Sequence, residues 1–359
     1  MKKILITAYN LDIGGIETAL INLLKKLDLN KYQITLVLEK KEGIFVNQIP
    51  SGIEVIDYNL CYSKNIIYRK IKNRLKLLFW KALHKNKYDY SICFATHSIP
   101  GALIALNGSN NNAIWLHGNY CNFFDYDLNR INEFFKKIKL SKFKNYVFVS
   151  HENKNETLKY YKLEGNIYII NNIIDGDNII KKSKEEIEYK KPNKTVFVNV
   201  SRHDEYQKKI TRIIEASKKL FEDGFDFELL LIGDGPDTQM YKKLVKKYHL
   251  ENNIKFLGKK SNPFPYYKIS DACVLSSQSE GYPVVFNEAR VLNIPLITTK
   301  VSDYQDIDNL YGIVVEQDKI YDGMKKFLNE GFVIKKKFDY KEYNKDIISK
   351  IDSLINKNW

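Results

Sequence analysis

The sequence lacks several features that define specialised classes of protein. Its four cysteines, Cys61, Cys93, Cys121 and Cys273, lie far apart and form no CxxC pair, which excludes a disulfide framework and gives no indication of a structural zinc site. No run of about 18 apolar residues occurs, so no segment is expected to span a bilayer. The apolar stretch after Met1 is shorter than the core of a signal peptide and is expected to be a first strand.

The composition is that of a folded protein with a basic surface. Of 359 residues, 44% are hydrophobic and 28% are charged, which excludes disordered, collagen-like and coiled-coil structures. The length exceeds what one ordinary core holds and favours two domains. Lysine and arginine number 57 against 43 acidic residues, a net charge of +14. This excess indicates a polyanionic partner, such as a nucleic acid, an anionic lipid surface or a phosphorylated substrate.

Short apolar runs alternate with segments of helical period in both halves of the chain, a pattern typical of a doubly wound α/β fold. We expect a Rossmann-like domain at 1–175, a polar linker at 176–194, a second Rossmann-like domain at 195–335 and a C-terminal helix at 336–359 that could pack on the first domain. The predicted strands are Lys3–Thr7, Gln33–Leu38, Tyr90–Phe94, Ala113–Leu116, Tyr146–Val149, Thr195–Val200, Phe227–Ile232, Ile254–Leu257, Ala272–Leu275 and Pro295–Thr298. Ligands of such folds bind at the carboxyl ends of the strands, so we expect the two sheets to face each other across a cleft.

Two segments that follow predicted strands could hold phosphate groups. Gly14 and Gly15 precede a helix, whose free N–H groups can bind phosphate or sugar oxygens, and the alternative is a tight turn that needs glycine. Arg202 and Lys208 follow the strand TVFVNV. A guanidinium and an ammonium at that position could grip a diphosphate. The alternative is a solvated loop with exposed charges.

A third segment carries two carboxylates separated by seven residues, EGYPVVFNE. Glu280 falls in a loop, and Pro283 stands where a helix can begin without loss of a hydrogen bond. The amides of Val284 and Val285 would then be free to bind an anion. Glu288 would lie about one turn further along, able to accept two hydrogen bonds from a ribose. The alternative for Glu288 is an acid on an exposed helix face.

Together with the GDGP turn at Gly233–Pro236 and the strand that ends at Gly258, these segments resemble the retaining glycosyltransferases of family 4, which share the GT-B fold. The resemblance is strong from about Thr195 to Thr298 and weaker before that. It implies metal-independent transfer of a sugar, with retention of configuration, from a nucleotide diphosphate sugar to a lipid-linked carbohydrate. A UDP-linked donor, no cofactor and a role in bacterial capsule or other surface polysaccharide synthesis are implied.

The resemblance also implies roles for individual residues. Arg202 and Lys208 would bind the diphosphate, Glu280 the transferred sugar and Glu288 the ribose, while His117, after a predicted strand, would contact the donor sugar. The implied catalytic residues are His117, Arg202, Lys208 and Glu280. The implied donor-binding residues are Gly14, Gly15, Arg202, Lys208, Gly258, Lys259, Glu280, Gly281, Tyr282, Val284, Val285 and Glu288.

Some assignments within this set stay open. The loop from Arg202 is one residue longer than the family spacing, so either Lys208 or Lys209 could reach the diphosphate, and the register of the following helix favours Lys208. His97 is a weaker candidate than His117. The DxD strings at 125–127, 175–177 and 306–308 are expected to be loop or helix-start acids rather than metal ligands.

The segment Lys64–Lys87 has nine lysines and arginines and no acidic residue. Ile67, Ile71, Leu75 and Leu78 recur in it at helical spacing, which suits either a helix on an anionic membrane or a domain helix that packs this stripe on its sheet. The candidate membrane-binding residues are Arg69, Lys70, Lys72, Arg74, Lys76 and Trp80. A cytoplasmic protein on the inner face of the membrane is therefore expected, and the absence of any nucleic-acid-binding motif argues against DNA or RNA.

Two other classes of protein are compatible with the same features. One is a related enzyme of the same fold, either a sugar-nucleotide epimerase or a phosphorolytic enzyme. The other is a subunit that binds a sugar nucleotide without turning it over.

Overall fold

The computed structural model describes residues 1–12 and 14–357, which form two compact units. The first unit comprises Met1–Ile173 and the C-terminal residues from Tyr343 onwards, and the second comprises Ile174–Glu342. Each unit has its own parallel sheet, as the repeated pattern of apolar strands and amphipathic helices predicts.

The first unit contains a seven-stranded parallel sheet in the order β3-β2-β1-β4-β5-β6-β7. The inner strand β1 is buried on both faces, with Ile4, Leu5 and Ile6 fully inaccessible, which is why such strands appear in the sequence as continuous apolar runs. The strands are β1 (Lys2–Ala8), β2 (Tyr32–Leu38), β3 (Glu54–Asp57), β4 (Tyr90–Cys93), β5 (Asn112–Leu116), β6 (Asn145–Phe148) and β7 (Asn166–Ile169).

Helices connect these strands and cover the sheet. Several begin at side chains that accept a hydrogen bond from the first turn, such as Ser98 at α3 and Asp127 at α5. The helices are α1 (Gly15–Lys26), α2 (Ile66–His84), α3 (Ile99–Gly108), α4 (Tyr120–Phe123), α5 (Leu128–Lys137) and α6 (His151–Tyr160).

The second unit contains a six-stranded parallel sheet in the order β10-β9-β8-β11-β12-β13. Its strands are β8 (Thr195–Val200), β9 (Phe227–Ile232), β10 (Ile254–Gly258), β11 (Ala272–Leu275), β12 (Leu296–Thr299) and β13 (Gly312–Val315). Its helices are α7 (Gly176–Lys182), α8 (Ile210–Glu222), α9 (Thr238–Lys247), α10 (Phe264–Ile269), α11 (Val284–Leu292) and α12 (Ile320–Glu330). The strand order reverses between β8 and β11, the place where this fold binds ligands.

Every strand that the sequence predicts is present within one or two residues of its expected ends. The structure adds β3, β7 and β13, which are three of the four edge strands of the two sheets. The residues of β3 and β7 are exposed or only partly buried. Because these strands are short and half covered, their sequences lack the continuous apolar run that marks a central strand.

The segment 176–194, expected as an exposed linker, differs from that expectation. Residues 176–182 form α7, in which Ile179 is buried within the second unit. Further along, the Tyr189 hydroxyl donates to Glu228, and Lys191 lies 2.6 Å from Asp271. The polar segment 176–194 is therefore part of the second unit, to which its side chains are bonded, and is not a free linker.

The C-terminal helix, α13 (Tyr340–Asn356), returns to the first unit. Its apolar side is buried there, with Ile347 and Ile351 almost inaccessible. The Tyr32 hydroxyl donates to Asp352 at 2.8 Å, and the Tyr343 hydroxyl donates to the Asn172 carbonyl at 3.2 Å. The chain therefore passes from the second unit to the first within the first turn of this helix, between Glu342 and Tyr343.

Helix α2 corrects one prediction about membrane contact. Trp80 is only 6% exposed and packs against Tyr58 and His84 in the core of the first unit, so it is not available to a membrane. The stripe that could have packed on the sheet faces solvent instead, with Ile67 72% and Leu75 61% exposed. The inner side of α2 uses Asn73, Leu77 and Trp80, which lie at spacings of four and three residues.

Within residues 1–12 and 14–357, each helix is either too short or too polar to span a lipid bilayer.

Candidate active site

The candidate site of the second unit lies where β8 and β11 end. These strands are neighbours in the sheet, so the loops that follow them, 201–209 and 276–283, meet at one edge. The loops are bonded to each other: the Ser276 hydroxyl lies 2.9 Å from the carbonyls of Lys208 and Lys209, and the Gln278 amide donates to the Gln207 carbonyl at 2.8 Å. This fixes the two predicted segments in one rigid corner.

Lys208 and Glu280 form an ion pair at the centre of this corner. The Lys208 ammonium lies 2.5 Å from Glu280 Oε1, and the two side chains are only 18% and 8% exposed. The Ser277 hydroxyl donates to the same oxygen at 2.6 Å, and the Gln207 amide donates to Oε2 at 3.3 Å. Three donors therefore hold Glu280 as a hydrogen-bond acceptor of fixed orientation.

The structure distinguishes between the two neighbouring lysines. Lys208 reaches Glu280, whereas Lys209 has a left-handed backbone, with φ of 49°, and precedes the first turn of α8. The reversal of the chain at Lys209 turns consecutive side chains apart. Lys208 is therefore the lysine of the corner formed with Glu280.

Arg202 is much more exposed than Lys208. Its side chain is 62% exposed and its guanidinium is paired with Asp204. A surface pair of this kind is weak, so the guanidinium is free to turn toward an anion that enters at this edge. The loop beneath it is firm, because Asp237 Oδ2 accepts from the Glu205 amide at 2.7 Å.

The GDGP turn, Gly233–Pro236, supports this loop from below. A Cβ atom at Gly233 would lie 1.9 Å from the Ser201 carbonyl oxygen, and the backbone there has φ of 140°, so only glycine fits. His203 is fully buried against the turn, with Nδ1 2.9 Å from the Thr238 hydroxyl. The predicted turn thus packs against the start of the loop that carries Arg202 and Lys208 and fixes its position.

Helix α11 begins at Val284, directly after Pro283, and leads away from the same edge. The first amides of a helix have no partner within it, so those of Val284 and Val285 are donors suited to an anion. Glu288 lies on this helix and accepts a hydrogen bond of 2.9 Å from the Tyr267 hydroxyl. Burial raises the pKa of Glu288 to about 7, and the bond from Tyr267 acts in the opposite direction.

The remaining predicted residues of the second unit surround this corner. The Gly281 carbonyl accepts from the Ser302 hydroxyl at 2.7 Å, and the Tyr282 hydroxyl accepts from Arg290 at 3.3 Å. Gly258 and Lys259 are exposed after β10, which has a register irregularity next to Gly258. Gly281 and Tyr282 are therefore parts of the packed loop, whereas Gly258 and Lys259 present an open edge.

In the first unit, Gly14 and Gly15 stand at the start of α1. The Glu17 carboxylate folds back over Gly14, where a Cβ atom would lie 2.1 Å from Oε2. Burial raises the pKa of Glu17. The glycine pair is thus a helix start, as predicted, and its amide end is covered by a carboxylate of the same helix.

His117 follows β5 in the first unit and is 9% exposed. Its ring lies 4.6 Å from that of Phe94, and its Nε2 atom is buried without a hydrogen-bond partner among the described residues. Burial lowers the pKa of His117 to about 3, so the imidazole is neutral at physiological pH. His97 lies after β4, and its ring is 5.5 Å from that of Tyr9.

The aspartates of the three DxD strings lie at helix starts or in turns. Asp127 accepts hydrogen bonds from the first amides of α5, Asp177 accepts from the Tyr340 hydroxyl, and Asp306 lies in a short 3₁₀ turn. Within residues 1–12 and 14–357, no three His, Cys, Asp or Glu side chains come together as a metal site would require.

Sequence reasoning missed three polar residues of the corner. Gln207 and Ser277 both bond to Glu280, and Tyr267 bonds to Glu288. Ser277 follows β11 and Gln207 precedes Lys208, so their positions at strand and loop ends were a usable signal. Tyr267 is far from Glu288 in the sequence and lies on a separate helix, and no local pattern connects the two.

Comparison with known proteins supports this reading of the second unit. Residues 180–349 match the family described as glycosyl transferases group 1. This range covers the corner of Lys208 and Glu280, together with α11.

Two curated relatives illustrate the range of similarity. An uncharacterised glycosyltransferase of Methanocaldococcus jannaschii is 33% identical over 42% of this chain and 38% of its own length. A 4-alpha-N-acetylgalactosaminyltransferase of Campylobacter jejuni, which acts on N-acetylgalactosamine-N,N'-diacetylbacillosaminyl-diphospho-undecaprenol, is 25% identical over 92% of this chain and 91% of its own. The chain spans less than half of the length of the M. jannaschii relative.

Solved structures share the fold at low sequence identity. The Anabaena protein HepE in complex with UDP and glucose has a TM-score of 0.75 and 17% identity, over 98% of this chain and all of that one. WaaG, a glycosyltransferase of lipopolysaccharide biosynthesis, has a TM-score of 0.71 and 14% identity. The predicted GT-B fold, with a doubly wound sheet in each unit, is confirmed. Residues 180–349 therefore match the group 1 glycosyltransferases, within a chain that has the GT-B fold.

Proposed function

We propose that the protein transfers a sugar from a nucleotide diphosphate sugar to a carbohydrate on a lipid carrier, with retention of configuration and without a metal ion. The observation that carries this proposal is the buried Lys208–Glu280 pair beside the amide end of α11. A cation, a fixed carboxylate and free helix amides are the groups that bind a phosphate and the hydroxyls of a sugar attached to it.

In the proposed reaction, the second unit stabilises the departing diphosphate. An ammonium group has three donors, so Lys208 can bind a phosphate oxygen while it remains bonded to Glu280. Arg202 can turn from Asp204 to a second phosphate oxygen, and the amides of Val284 and Val285 supply neutral donors. Groups that are aimed at developing negative charge lower the barrier because they bind the transition state more tightly than the substrate.

Glu280 is better suited to hold the sugar than to attack it. Its two oxygens already accept from Lys208, Ser277 and Gln207, which weakens a carboxylate as a nucleophile and fixes it as an acceptor for a sugar hydroxyl. We therefore propose that the acceptor hydroxyl attacks from the face that the diphosphate leaves, and that a phosphate oxygen takes its proton. A role for His117 next to the donor sugar stays a prediction.

The comparisons support the proposed substrates by analogy. HepE was solved with UDP and glucose, which favours a UDP-linked donor. The Campylobacter relative, which matches nearly the whole chain, acts on a glycan linked to diphospho-undecaprenol. Other relatives belong to amylovoran and capsule biosynthesis, which supports a surface polysaccharide as the product.

Helix α2 supports a site of action at a membrane surface, since a lipid-linked acceptor is anchored there. Ile67, Ile71, Leu75, Leu78 and Phe79 form an exposed ridge on this helix, each at least 53% accessible. Exposed lysines and arginines flank the ridge, with Lys70, Lys72 and Arg74 among them. An apolar ridge with cations beside it is complementary to an anionic lipid surface, in which the ridge can enter the headgroup layer. We propose that α2 docks the protein on the cytoplasmic face of the membrane.

A transfer assay with product analysis tests the enzymatic proposal. Purified protein is supplied with UDP-sugars and a lipid-linked acceptor, with and without EDTA, and the product anomer is assigned by NMR. We expect UDP release that depends on the acceptor, a retained anomeric configuration and no effect of EDTA. Epimerised sugar from donor alone, a requirement for phosphate, or donor binding without turnover would each replace the proposal with one of the other classes.

A further inference from the structure

The hydrogen bond between Tyr267 and Glu288 joins two helices beside the candidate site. The Tyr267 hydroxyl lies 2.9 Å from Glu288 Oε2, and Tyr267 itself is fully buried. Helix α10, which carries Tyr267, packs on α11, which carries Glu288. The Glu288 carboxylate therefore accepts a hydrogen bond from a side chain that is fully buried in the second unit.

A structural role alone does not explain this choice of partner. A buried tyrosine hydroxyl needs an acceptor, but a neutral carbonyl would satisfy it without the cost of holding a carboxylate away from water. Among the described residues, the Tyr267 hydroxyl donates to Glu288 Oε2. The other carboxylate oxygen, Oε1, is then left for a ligand. One oxygen fixed and one oxygen open is the arrangement expected of an oriented acceptor.

We propose that Tyr267 is a positioning residue, whose hydroxyl holds the Glu288 carboxylate in the orientation that accepts hydrogen bonds from the ribose hydroxyls of the donor. This inference rests on the proposed function and identifies what sets the ribose specificity of the site. Tyr267 is buried beneath the carboxylate and acts through it, without touching the ligand.

The groups that face Glu288 agree with this role. Burial raises the pKa of the Glu288 carboxyl, whereas the Tyr267 hydrogen bond lowers it. The Glu288 carboxylate also interacts with the thiol of Cys273 on β11, and burial raises the pKa values of both Cys273 and Tyr267, so both stay neutral. The hydroxyl thus favours the ionised carboxylate, which is the form that accepts from two ribose hydroxyls.

Calorimetric titration of Tyr267→Phe tests the inference. The probes are UDP and 2′,3′-dideoxyuridine diphosphate, which differ only in the ribose hydroxyls, and Tyr266→Phe on the same helix is the matched control. We expect Tyr267→Phe to weaken UDP binding at pH 7.5 about tenfold or more, as for loss of a hydrogen bond to a charged group. Binding of the dideoxy compound should stay within about twofold, and Tyr266→Phe should change neither.

The pH profile and a double variant separate positioning from folding. In Tyr267→Phe the midpoint of the rise in UDP affinity with pH should move upward, because the carboxyl loses a donor to its ionised form. In the Glu288→Gln background, Tyr267→Phe should cost no further selectivity for UDP over the dideoxy compound. Equal losses for both ligands, or no loss for UDP, would overturn the inference while the proposed function stands. Failure of the wild-type protein to bind UDP would overturn the proposed function itself.

Discussion

Lys208 and Glu280 meet at 2.5 Å across two loops that follow neighbouring strands, and both side chains are largely withdrawn from water. They are separated by 72 residues in the sequence. Such a pair is costly to bury and is strongly coupled once buried. It therefore makes the stability of the second unit depend on the same residues that are proposed to bind the donor.

This coupling predicts unequal effects of removing the two cations. Lys208→Ala leaves Glu280 buried without its counter-ion and should lower the free energy of unfolding by about 3 kcal/mol. Arg202→Ala removes an exposed side chain and should cost less than about 1 kcal/mol. Both should lower turnover about 10²-fold or more, as expected when a donor to developing charge is lost. Denaturant unfolding and steady-state kinetics of the folded variants check the two effects.

The double variant Lys208→Met/Glu280→Gln is the control for charge burial. Because no unpaired charge remains, it should be more stable than Lys208→Ala, yet as inactive. A stability loss of Lys208→Ala no larger than that of Arg202→Ala would show that the ion pair is not buried in solution.

The carboxyl group of Glu288 predicts a pH-dependent stability. Its pKa in the folded protein is raised to about 7 from an ordinary value of 4.5, so the folded state binds this proton more tightly than the unfolded state does. The penalty for folding therefore grows as pH rises from about 4.5 to 7. Glu288→Gln removes it, so the variant should gain stability relative to wild type across this range, as measured by thermal unfolding at several pH values. A difference in melting temperature that does not change with pH would contradict the raised pKa.

The ridge on α2 predicts binding to anionic lipid. Replacing Leu75 and Phe79 by serine should weaken binding to vesicles that contain an anionic phospholipid, and so should neutral substitutions at Lys70, Lys72, Arg74 and Lys76, because apolar burial and charge both contribute. Neutralising Lys242, Lys243, Lys246 and Lys247 of α9 removes the same number of charges and is the matched control for net charge. Equal vesicle affinity in all variants would contradict membrane docking, and a concentration-dependent dimer that the serine variant abolishes would indicate that a second copy covers the ridge.

Trp80 should behave as a core residue. It is 6% exposed, its indole stacks on His84 with ring centroids 3.7 Å apart, and it meets the edge of Tyr58. Trp80→Ala should lower the free energy of unfolding by about 3 kcal/mol or more, which denaturant unfolding measures. Trp80→Phe should recover most of that stability. If Trp80→Ala instead reduced vesicle binding with no loss of stability, the assignment of the two faces of α2 would be reversed.

The inner strands were predictable from the sequence because both of their faces are buried, and β1 and β9 show this as consecutive apolar residues at 4–6 and 229–232. Edge strands such as β3 were not, since one side meets solvent and the hydrophobic signal is halved. The faces of α2 could not be assigned either. Its apolar stripe has the period of a packing face, and only the position of Asn73, Leu77 and Trp80 on the core decides which side points inward.

The residues of the candidate site that a short sequence motif marks could be predicted, whereas contacts between distant segments could not. Arg202, Lys208 and Glu280 lie in the loops that follow β8 and β11, and α11, which carries Glu288, begins where the second loop ends. The carboxyl edge of a parallel sheet therefore predicts where they meet. The hydrogen bond from Tyr267 to Glu288 depends on how α10 packs on α11, which no sequence period encodes. The hydrogen bonds from the Ser276 hydroxyl to the carbonyls of Lys208 and Lys209 likewise could not be predicted, because they join two loops that meet only when β8 and β11 pair.

Binding of UDP to the intact protein tests the central claim most directly. In isothermal titration with UDP, the wild-type protein should bind one equivalent, and Lys208→Met/Glu280→Gln, verified as folded by circular dichroism, should bind at least about tenfold more weakly because the phosphate loses its buried cation. Uridine, which lacks phosphate, should bind both proteins equally. Wild-type protein that takes up no UDP at millimolar concentration, or a double variant that binds UDP as tightly as wild type, would contradict the account.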